Sequence, residues 1–348
     1  MNKAIIIIIN LILNILSQRI VANITLKIKG YGFKNVFSSN NNFPVNSYPN
    51  KIYINIEEKK SINPSYYLIN ETNYIKLLWN HRIKNCQAMF YGCSDIIEID
   101  LSNFDSSDCE SLGKMFENCI SFISLNLSNF NTPKITYSGT MFKNCISLVS
   151  LDLSSFKTSK ITDFGGMFEN CTSLTSLNLS NFDFSQANIV WDMFSLSKNL
   201  EYINIKNFHQ LSSIKISNFL KEVPENIVAC IDEKNNKVLT KVKEKKCYNI
   251  DCSFDWKKKQ KKIIKDISCT LDCSNDPEYK YENNGKCVKN CEYGFSKNDK
   301  NKCKCQLKKC SLCSNVALKF ELCTECNEGY YPKENDESNI GVYFNCYN

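Results

Sequence analysis

The chain contains 348 residues with a formal net charge of +7, and 43% of its residues are hydrophobic. This length has room for two or three domains, and the hydrophobic fraction excludes a wholly disordered chain. Residues 234–265 hold 12 lysines and three acids, so +9 of the charge lies there and −2 remains for the rest. The chain as a whole is therefore not basic enough to predict a nucleic-acid partner.

Residues 1–22 have the pattern of a secretory signal peptide. Lys3 supplies the positive start, an apolar run extends from Ala4 to Leu16, and Ala22 is a small residue before a cleavage site. The run is short and contains two asparagines, so we expect no membrane span; an uncleaved anchor is the alternative. No cysteine precedes Cys86, which excludes lipid attachment near the signal. We therefore predict an extracellular protein, secreted or at the cell surface.

Residues 23–84 precede the repeats described below and lack their signature. Apolar residues alternate with polar ones in 24–28 and 51–56, and 75–79 is a further apolar stretch. Alternation with a period of two predicts strands. Terminal repeats are usually atypical because one side faces water, so we predict that this segment is the N-terminal cap of the array.

A repeat of 26 residues organises residues 85–228. Five methionines recur at this interval and each is followed by phenylalanine, at Met89, Met115, Met141, Met167 and Met193. Apolar residues also recur seven, ten and twelve positions after each methionine, and a phenylalanine recurs fifteen positions after it. A period of this length is typical of a solenoid, in which each repeat buries its apolar face against its neighbours.

Two patterns within one repeat predict two structural parts. Leu151 and Leu153 flank Asp152, so we expect a short strand with leucines inward and polar residues outward. Farther along the repeat, Ile161, Phe164 and Phe168 are three and four residues apart, which is the spacing of a short helix or helical turn. The repeat is therefore expected to contain one short parallel strand and one short helical segment.

The string Leu-x-x-Leu-x-Leu-x-x-Phe at residues 148–156 resembles the leucine-rich repeat. The fuller phrase MFxNCxSLxSLxLSNF resembles the BspA-like repeats over about residues 85–210. These repeats define a surface-protein family first catalogued in mycoplasma lipoproteins and common in anaerobic and parasitic protists. The resemblance implies an α/β leucine-rich-repeat solenoid and an extracellular, non-catalytic array linked to adhesion.

Six cysteines lie in the array. Four share one slot of the repeat, Ser197 takes that slot in the fifth copy, and Cys86 and Cys109 replace apolar residues of other copies. Free cysteine is among the most buried residue types, so we predict buried thiols at Cys93, Cys119, Cys145 and Cys171. Disulfides between stacked repeats are the alternative, and we expect Cys86–Cys109 to be the exception that forms one.

After Phe208 the signature decays. We expect the core to be closed by the apolar residues of 209–226, namely Ile214, Ile216, Phe219 and Leu220. Residues 229–268 are then predicted to be a lysine-rich linker. Its lysines would lie on a solvated helix face, and contact with acidic glycans is the alternative. Nuclear import and nucleic-acid binding are excluded if a signal peptide precedes them.

From Cys230 onward 14 cysteines occur in 119 residues, a density typical of small secreted domains in which disulfides replace a core. Residues 269–348 resemble the furin-like or growth-factor-receptor type of cysteine-rich module, and this region is either complete or truncated. The candidate disulfide cysteines are Cys269, Cys273, Cys287, Cys291, Cys303, Cys305, Cys310, Cys313, Cys323, Cys326 and Cys346. The paired spacing at 310–313 and 323–326 also suits zinc, but an oxidising compartment favours bridges, so we predict no metal.

No residue pattern predicts catalysis. The two histidines, His81 and His209, have no serine, cysteine or carboxylate pattern beside them that would form a nucleophile and base, and no phosphate-binding loop is present. We expect no enzyme activity and no cofactor. Three functions remain open: a binding or adhesion module for a protein or glycan ligand on a host cell, neighbouring cell or matrix, a structural coat component with the cysteine-rich region as spacer or cross-linker, and a secreted enzyme of unrecognised type.

Outward strand positions form two polar rows across the repeats, because stacked strands lie ~4.8 Å apart. We predict that these rows bind the ligand, although any solvated strand face has a similar composition. The predicted ligand-binding residues are Glu98, Asp100, Ser124, Asn126, Ser150, Asp152, Ser176, Asn178, Tyr202 and Asn204. Glycans on this face would cover it, and the candidate glycosylation sites of the chain are Asn23, Asn70, Asn126, Asn170 and Asn178.

Overall fold

The structure is a computed structural model of the chain. It describes residues 21–127, 130–208, 214–232, 236–265, 268–283, 286–291, 295–297, 303–305, 307, 310–312, 323, 325–326, 331–332 and 346–347. The predicted signal peptide lies outside these residues except for Val21 and Ala22, and His209 lies outside them as well.

Six antiparallel strands precede the repeats, namely β1 (Ala22–Lys29), β2 (Gly32–Asn35), β3 (Lys51–Ile54), β4 (Glu57–Glu58), β5 (Ser65–Leu68) and β6 (Thr72–Trp79). The three predicted strands are confirmed as β1, β3 and the second half of β6. The main sheet has the order β4-β3-β6-β1 and continues into the first repeat strand, while β2 and β5 form a separate ribbon. A short 3₁₀ turn at Val45–Ser47 accepts a hydrogen bond from the buried Trp79 indole at Ser47 O (2.9 Å).

One short strand per coil stacks along the array, namely β7 (Ile96–Asp100), β8 (Ser124–Asn126), β9 (Ser150–Asp152), β10 (Ser176–Asn178), β11 (Tyr202–Asn204) and β12 (Val228–Cys230). Equivalent positions face each other in parallel register, as in Leu125 opposite Leu151 and Leu177 opposite Ile203. β7 instead pairs antiparallel with β1, which joins the N-terminal sheet to the array. The predicted solenoid, with one short strand recurring every 26 residues, is therefore confirmed.

The predicted short helix or helical turn is confirmed only in part. We call the side of each coil that carries the Met-Phe pair the Met-Phe side. In the described part of residues 85–208 this side contains turns rather than helices, closed by hydrogen bonds such as Met167 N to Phe164 O (3.1 Å). Other amides of this side donate to the next coil, for example Phe142 N to Met167 O (3.0 Å). The apolar spacing of three and four residues therefore comes from tight turns. The array is a β-solenoid of about six coils, and the predicted α/β leucine-rich-repeat fold is only partly confirmed.

Left-handed backbone conformations explain why no helix forms. The residue before each methionine and the residue three after it have positive φ, as at Gly166 (60°) and Asn170 (57°). A right-handed helix cannot pass through such residues, and asparagine tolerates them better than most side chains. Asparagine also stacks here, since Asn144 Nδ2 donates to Asn118 Oδ1 (2.7 Å) and Asn170 Nδ2 to Asn144 Oδ1 (2.9 Å).

Stacked phenylalanines fill the core between the two sides of each coil. The rings that follow the methionines lie nearly parallel at 5.7–5.8 Å, in the order Phe90, Phe116, Phe142, Phe168 and Phe194. A second stack runs through Phe104, Phe130, Phe156 and Phe182 at 5.8–6.2 Å. Inward strand leucines are buried except Leu151, which is half-buried where the ladder breaks between β9 and β10.

The array continues beyond its predicted end. Ile214, Phe219 and Leu220 are buried, but they belong to a sixth coil whose strand is β12, so the predicted boundary at 228/229 falls inside that strand. β13 (Asn249–Ile250) then pairs in parallel with β12. Between them, helix α1 (Asn236–Lys243) buries Val238, Leu239 and Val242 against the core. The predicted closing residues thus contribute to the core, with Ile216 packed against it, and the helix adds further apolar side chains at this end.

The cysteine-rich region follows as small sheets. Helix α2 (Trp256–Lys259) leads into a sheet of order β15-β14-β17-β16, formed by β14 (Lys262–Ile264), β15 (Ser268–Thr270), β16 (Tyr281–Asn283) and β17 (Lys286–Val288). A 3₁₀ turn lies at Cys273–Asn275. Three antiparallel pairs complete the described part, β18 (Phe295–Lys297) with β19 (Cys303–Cys305), β20 (Cys310–Leu312) with β21 (Glu325–Cys326), and β22 (Tyr331–Pro332) with β23 (Cys346–Tyr347).

Candidate ligand-binding face

The predicted rows of outward residues occur as rows in the structure. Ser124 faces Ser150 and Asn126 faces Asp152 across β8 and β9, while Ser176 faces Tyr202 and Asn178 faces Asn204 across β10 and β11. Their exposure is consistent with an outward orientation, because none of the ten is buried, and the exposed ones are Glu98, Asp100, Asn126, Asp152, Ser176 and Asn178. We call this surface, from β7 to β11, the outer face.

Four aspartate and asparagine residues at the ends of outer-face strands each accept the same kind of hydrogen bond, from the backbone amide two residues later. Asp100 Oδ1 accepts from Ser102 N (2.9 Å) and Asp152 Oδ1 from Ser154 N (2.9 Å), and the amide oxygens of Asn178 and Asn204 do the same (3.1 and 3.2 Å). Backbone hydrogen bonding lowers the pKa of Asp100 and Asp152. Both carboxylates are therefore ionised at neutral pH, and the face carries fixed negative charge between neutral hydroxyls and amides.

The outer face extends onto the N-terminal sheet, which sequence reasoning missed. Thr25 lies opposite Asp100 and Lys27 opposite Glu98 in the β1–β7 pair, and Lys27 Nζ contacts Glu98 Oε1 at 2.9 Å. Glu98 is thus already paired with a lysine. Beyond β1 the same row continues to Lys76 on β6 and then Tyr53 on β3. The sequence could have supplied the alternation within these strands but not their pairing with the array.

Two concavities lie along this extended surface. One has a volume of about 140 Å³ and lies between Asp100 and Asn126, which is below the ~300–1,000 Å³ usual for small-molecule sites. The other has a volume of about 510 Å³, is open to solvent, and is lined by Tyr53, Tyr74, Lys76 and their neighbours on the N-terminal sheet. The outer face itself is shallow, so it suits an extended ligand that lies across several strands.

The C-terminal end of the outer face is covered by the predicted linker. The indole of Trp256 stacks on Tyr202 with ring centroids 4.7 Å apart, and Lys257 Nζ lies 3.6 Å from Glu201 Oε2. Tyr202 is half-buried as a result and is less accessible to a ligand than predicted. The open part of the face therefore runs from β7 to β10.

Lysines of the predicted linker form ion pairs within the fold. The pairs join Lys258 to Asp255 (2.7 Å), Lys259 to Asp251 (2.9 Å), Lys262 to Glu282 (3.0 Å) and Lys265 to Glu278 (3.0 Å). The predicted solvated helix face is confirmed only in part: α1 has Lys243 exposed and its apolar side packed on the core, whereas Lys262 is buried in strand β14. Much of the local positive charge is therefore balanced, which weakens the alternative of contact with acidic glycans.

The four thiols in the shared repeat slot are free and buried, as predicted. Each of three donates to a phenylalanine carbonyl of the preceding coil, as Cys145 Sγ does to Phe116 O at 3.1 Å. Ser197 makes the equivalent bond to Phe168 O at 2.9 Å, which explains why serine replaces cysteine in that copy. Burial raises the pKa of the Cys145 thiol, so the group stays protonated and unreactive.

This bond predicts different effects for two substitutions of Cys145. Cys145→Ala removes one of the two donors to the buried Phe116 carbonyl, which keeps the bond from Cys119 N (3.1 Å), and should lower the free energy of unfolding by about 1 kcal/mol. Cys145→Ser keeps a donor that the fold already accepts at Ser197, so its loss should be smaller. Urea unfolding of both variants tests this, and an alanine variant at least as stable as the serine variant would contradict it.

Disulfides connect the coils and the cysteine-rich region. Cys86 pairs with Cys109 as predicted, and the pairs among the predicted candidates are Cys273–Cys287, Cys291–Cys303, Cys310–Cys323 and Cys326–Cys346. Two further pairs, Cys230–Cys252 and Cys247–Cys269, recruit three cysteines that were not among those candidates. Cys313 and the side chain of Cys305 lie outside the described residues.

Fold and site together define a repeat protein: a β-solenoid with a polar outer face, followed by a disulfide-rich region. Residues 84–208 match a family model described as "Mycoplasma protein of unknown function, DUF285". No curated protein and no solved structure matches the chain. Within the described residues, no helix is long and apolar enough to cross a membrane, and no group of three or more His, Cys, Asp or Glu side chains is placed to hold a metal ion.

Proposed function

We propose that the protein is a secreted or cell-surface, non-catalytic binding module for a protein or glycan ligand on a host cell, neighbouring cell or matrix. The observation that carries the proposal is the outer face, in which ionised Asp100 and Asp152 alternate with exposed Asn126 and Asn178 across consecutive strands. Solenoids use such extended surfaces to bind partners. The shallow outer face favours contacts spread over several coils rather than insertion of a small molecule.

Other features support an extracellular role in adhesion. Seven disulfides are described, and proteins with this density of bridges are typical of oxidising compartments. The repeat phrase resembles the BspA-like surface proteins, and the same residues match a family model of mycoplasma proteins. The repeats would present the ligand surface, and the cysteine-rich region would hold it away from its point of attachment.

Substitution of the two outer-face carboxylates tests the proposal. The purified full chain is first screened for capture by matrix proteins, glycans and cell surfaces. Asp100→Asn and Asp152→Asn are then combined, because asparagine keeps the strand-ending hydrogen bond that Asn178 and Asn204 already make. We expect the folded double variant to bind at least ~10-fold more weakly, as removal of two charges from a contact surface implies.

Glu110→Gln provides the matched control. Glu110 is exposed on the Met-Phe side, next to the parallel bridge at Ser111, and its substitution removes one negative charge, as each substitution of the double variant does, but away from the outer face. Unchanged affinity in the double variant, or equal weakening in the control, would contradict the assignment of the site. Self-association of the wild type without capture of any ligand would instead support a structural coat component.

A further inference from the structure

A cluster of exposed apolar side chains lies on the ribbon of β2 and β5, which is separate from the sheets that form the outer face. Phe33 and Tyr67 are directly opposite each other, 77% and 65% exposed, with ring centroids 5.3 Å apart. Tyr31, just before β2, and Ile69, just after β5, are 63% and 71% exposed. Four large apolar side chains together form a patch that monomeric proteins usually cover.

Asn70 follows this apolar patch directly and begins the sequon Asn70-Glu71-Thr72. It lies in the turn between β5 and β6, is exposed, and among the described residues only its backbone takes part in hydrogen bonds, with Asn73 (3.4 and 2.7 Å). Gly30 N donates to Glu71 O at 2.7 Å, so the turn lies beside the chain that enters Tyr31. A group attached at Asn70 would therefore start at the edge of the patch.

The other sequons occupy different settings. Asn170 Nδ2 donates to Asn144 within the asparagine stack, and Asn23 is half-buried within β1. Asn126 and Asn178 end strands of the outer face. Of the five, Asn70 alone is exposed on a turn, which is where a modified sequon of a secreted protein is expected.

We propose that Asn70 carries an N-linked glycan whose first sugars lie against the patch of Tyr31, Phe33, Tyr67 and Ile69. The inference rests on the proposed passage through a secretory compartment. In the transfer, Asn70 Nδ2 loses one proton and bonds to the anomeric carbon of an oligosaccharide carried on a lipid diphosphate. The carbon–oxygen bond to the diphosphate breaks, and the diphosphate leaves with its electron pair.

Sugar rings match this patch chemically. Their axial C–H groups form apolar faces, and the electron-rich faces of Phe33 and Tyr67 attract such C–H groups while both surfaces leave water. The covalent link at Asn70 raises the effective concentration of the sugar at the patch, so even a weak contact is populated. The glycan would thus cover the apolar surface of the β2–β5 ribbon.

Two substitutions of Thr72 compare a chain that can be glycosylated at Asn70 with a chain that cannot. Thr72→Ser keeps a sequon and Thr72→Ala removes it, while both leave Asn70 in place. The full chain with its own N-terminus is produced in a eukaryotic secretory host, and glycan occupancy at each sequon is measured by peptide mass spectrometry. We expect Asn70 to be modified in the wild type and in Thr72→Ser, unmodified in Thr72→Ala, and Asn170 to be unmodified throughout.

An apolar fluorescent dye then reports whether the patch is covered. Dye fluorescence should rise several-fold in Thr72→Ala over Thr72→Ser, and a further Phe33→Ser substitution should abolish the rise. A secreted, folded protein with unmodified Asn70, or equal dye binding in the two variants, would overturn the inference and leave the proposed function intact. A chain that never enters the secretory compartment would overturn both.

Discussion

Phe142→Ala should lower the free energy of unfolding by about 3–5 kcal/mol, the usual range for a large side chain removed from a core. Phe142 is fully buried, and its ring lies 5.7 Å from both Phe116 and Phe168. The substitution therefore removes two stacked contacts as well as buried area. Because each coil is stable only against its neighbours, the damage should spread through the array.

Ser176→Ala is the control for this prediction, since Ser176 is exposed on the outer face and its substitution should cost within about 0.5 kcal/mol. Urea melts followed by circular dichroism measure both variants. Comparable stability of the two would contradict the assignment of the Met-Phe side to the core.

Loss of the Cys230–Cys252 bridge should cost about 3 kcal/mol, the chain-entropy value for a ring of this length. The two cysteines are 22 residues apart, and the bridge ties β12 to the segment after β13. The Cys230→Ala, Cys252→Ala double variant should therefore exchange amide hydrogens faster in β12, β13 and α1, while β8 and β9 keep their protection.

The free thiols supply an internal control in the same protein. Cys119 and Cys145 are buried with raised thiol pKa values, so they should resist alkylation in the native double variant and react only after global unfolding. Unchanged hydrogen exchange in β12 and β13 would contradict the prediction that the bridge stabilises the C-terminal end of the array. Rapid alkylation of the core thiols would contradict the prediction that the rest of the array stays folded without it.

The period and the strand positions could be predicted because each is local. Leu151 and Leu153 alternate with polar residues, and the same alternation returns every 26 residues, so the inward and outward sets follow from sequence alone. The buried thiols of Cys93, Cys119, Cys145 and Cys171 could be predicted too, because free cysteine is among the most buried residue types. The cysteine in the shared slot has a reason visible only in the structure, its hydrogen bond to the preceding coil.

Other features depended on conformation and on long-range pairing. The spacing of Phe164 and Phe168 fits a helix, but left-handed residues such as Asn170 turn the chain and direct its amides to the next coil. The sixth coil lacks the signature phrase and keeps only apolar residues in the right places. The stacking of Trp256 on Tyr202 joins positions far apart in sequence, and nothing local in either segment indicates it.

Carboxylate footprinting of the bound protein tests the proposed binding face most directly. The wild type is captured on the surface that binds it and treated with a carbodiimide and an amine, and labelling is compared with that of the free protein. We expect Asp100 and Asp152 to be protected on binding while Glu110, exposed on the Met-Phe side, is labelled equally in both states. Protection of Glu110 with full labelling of Asp100 and Asp152 would place the ligand on the other side of the coil and contradict the assignment.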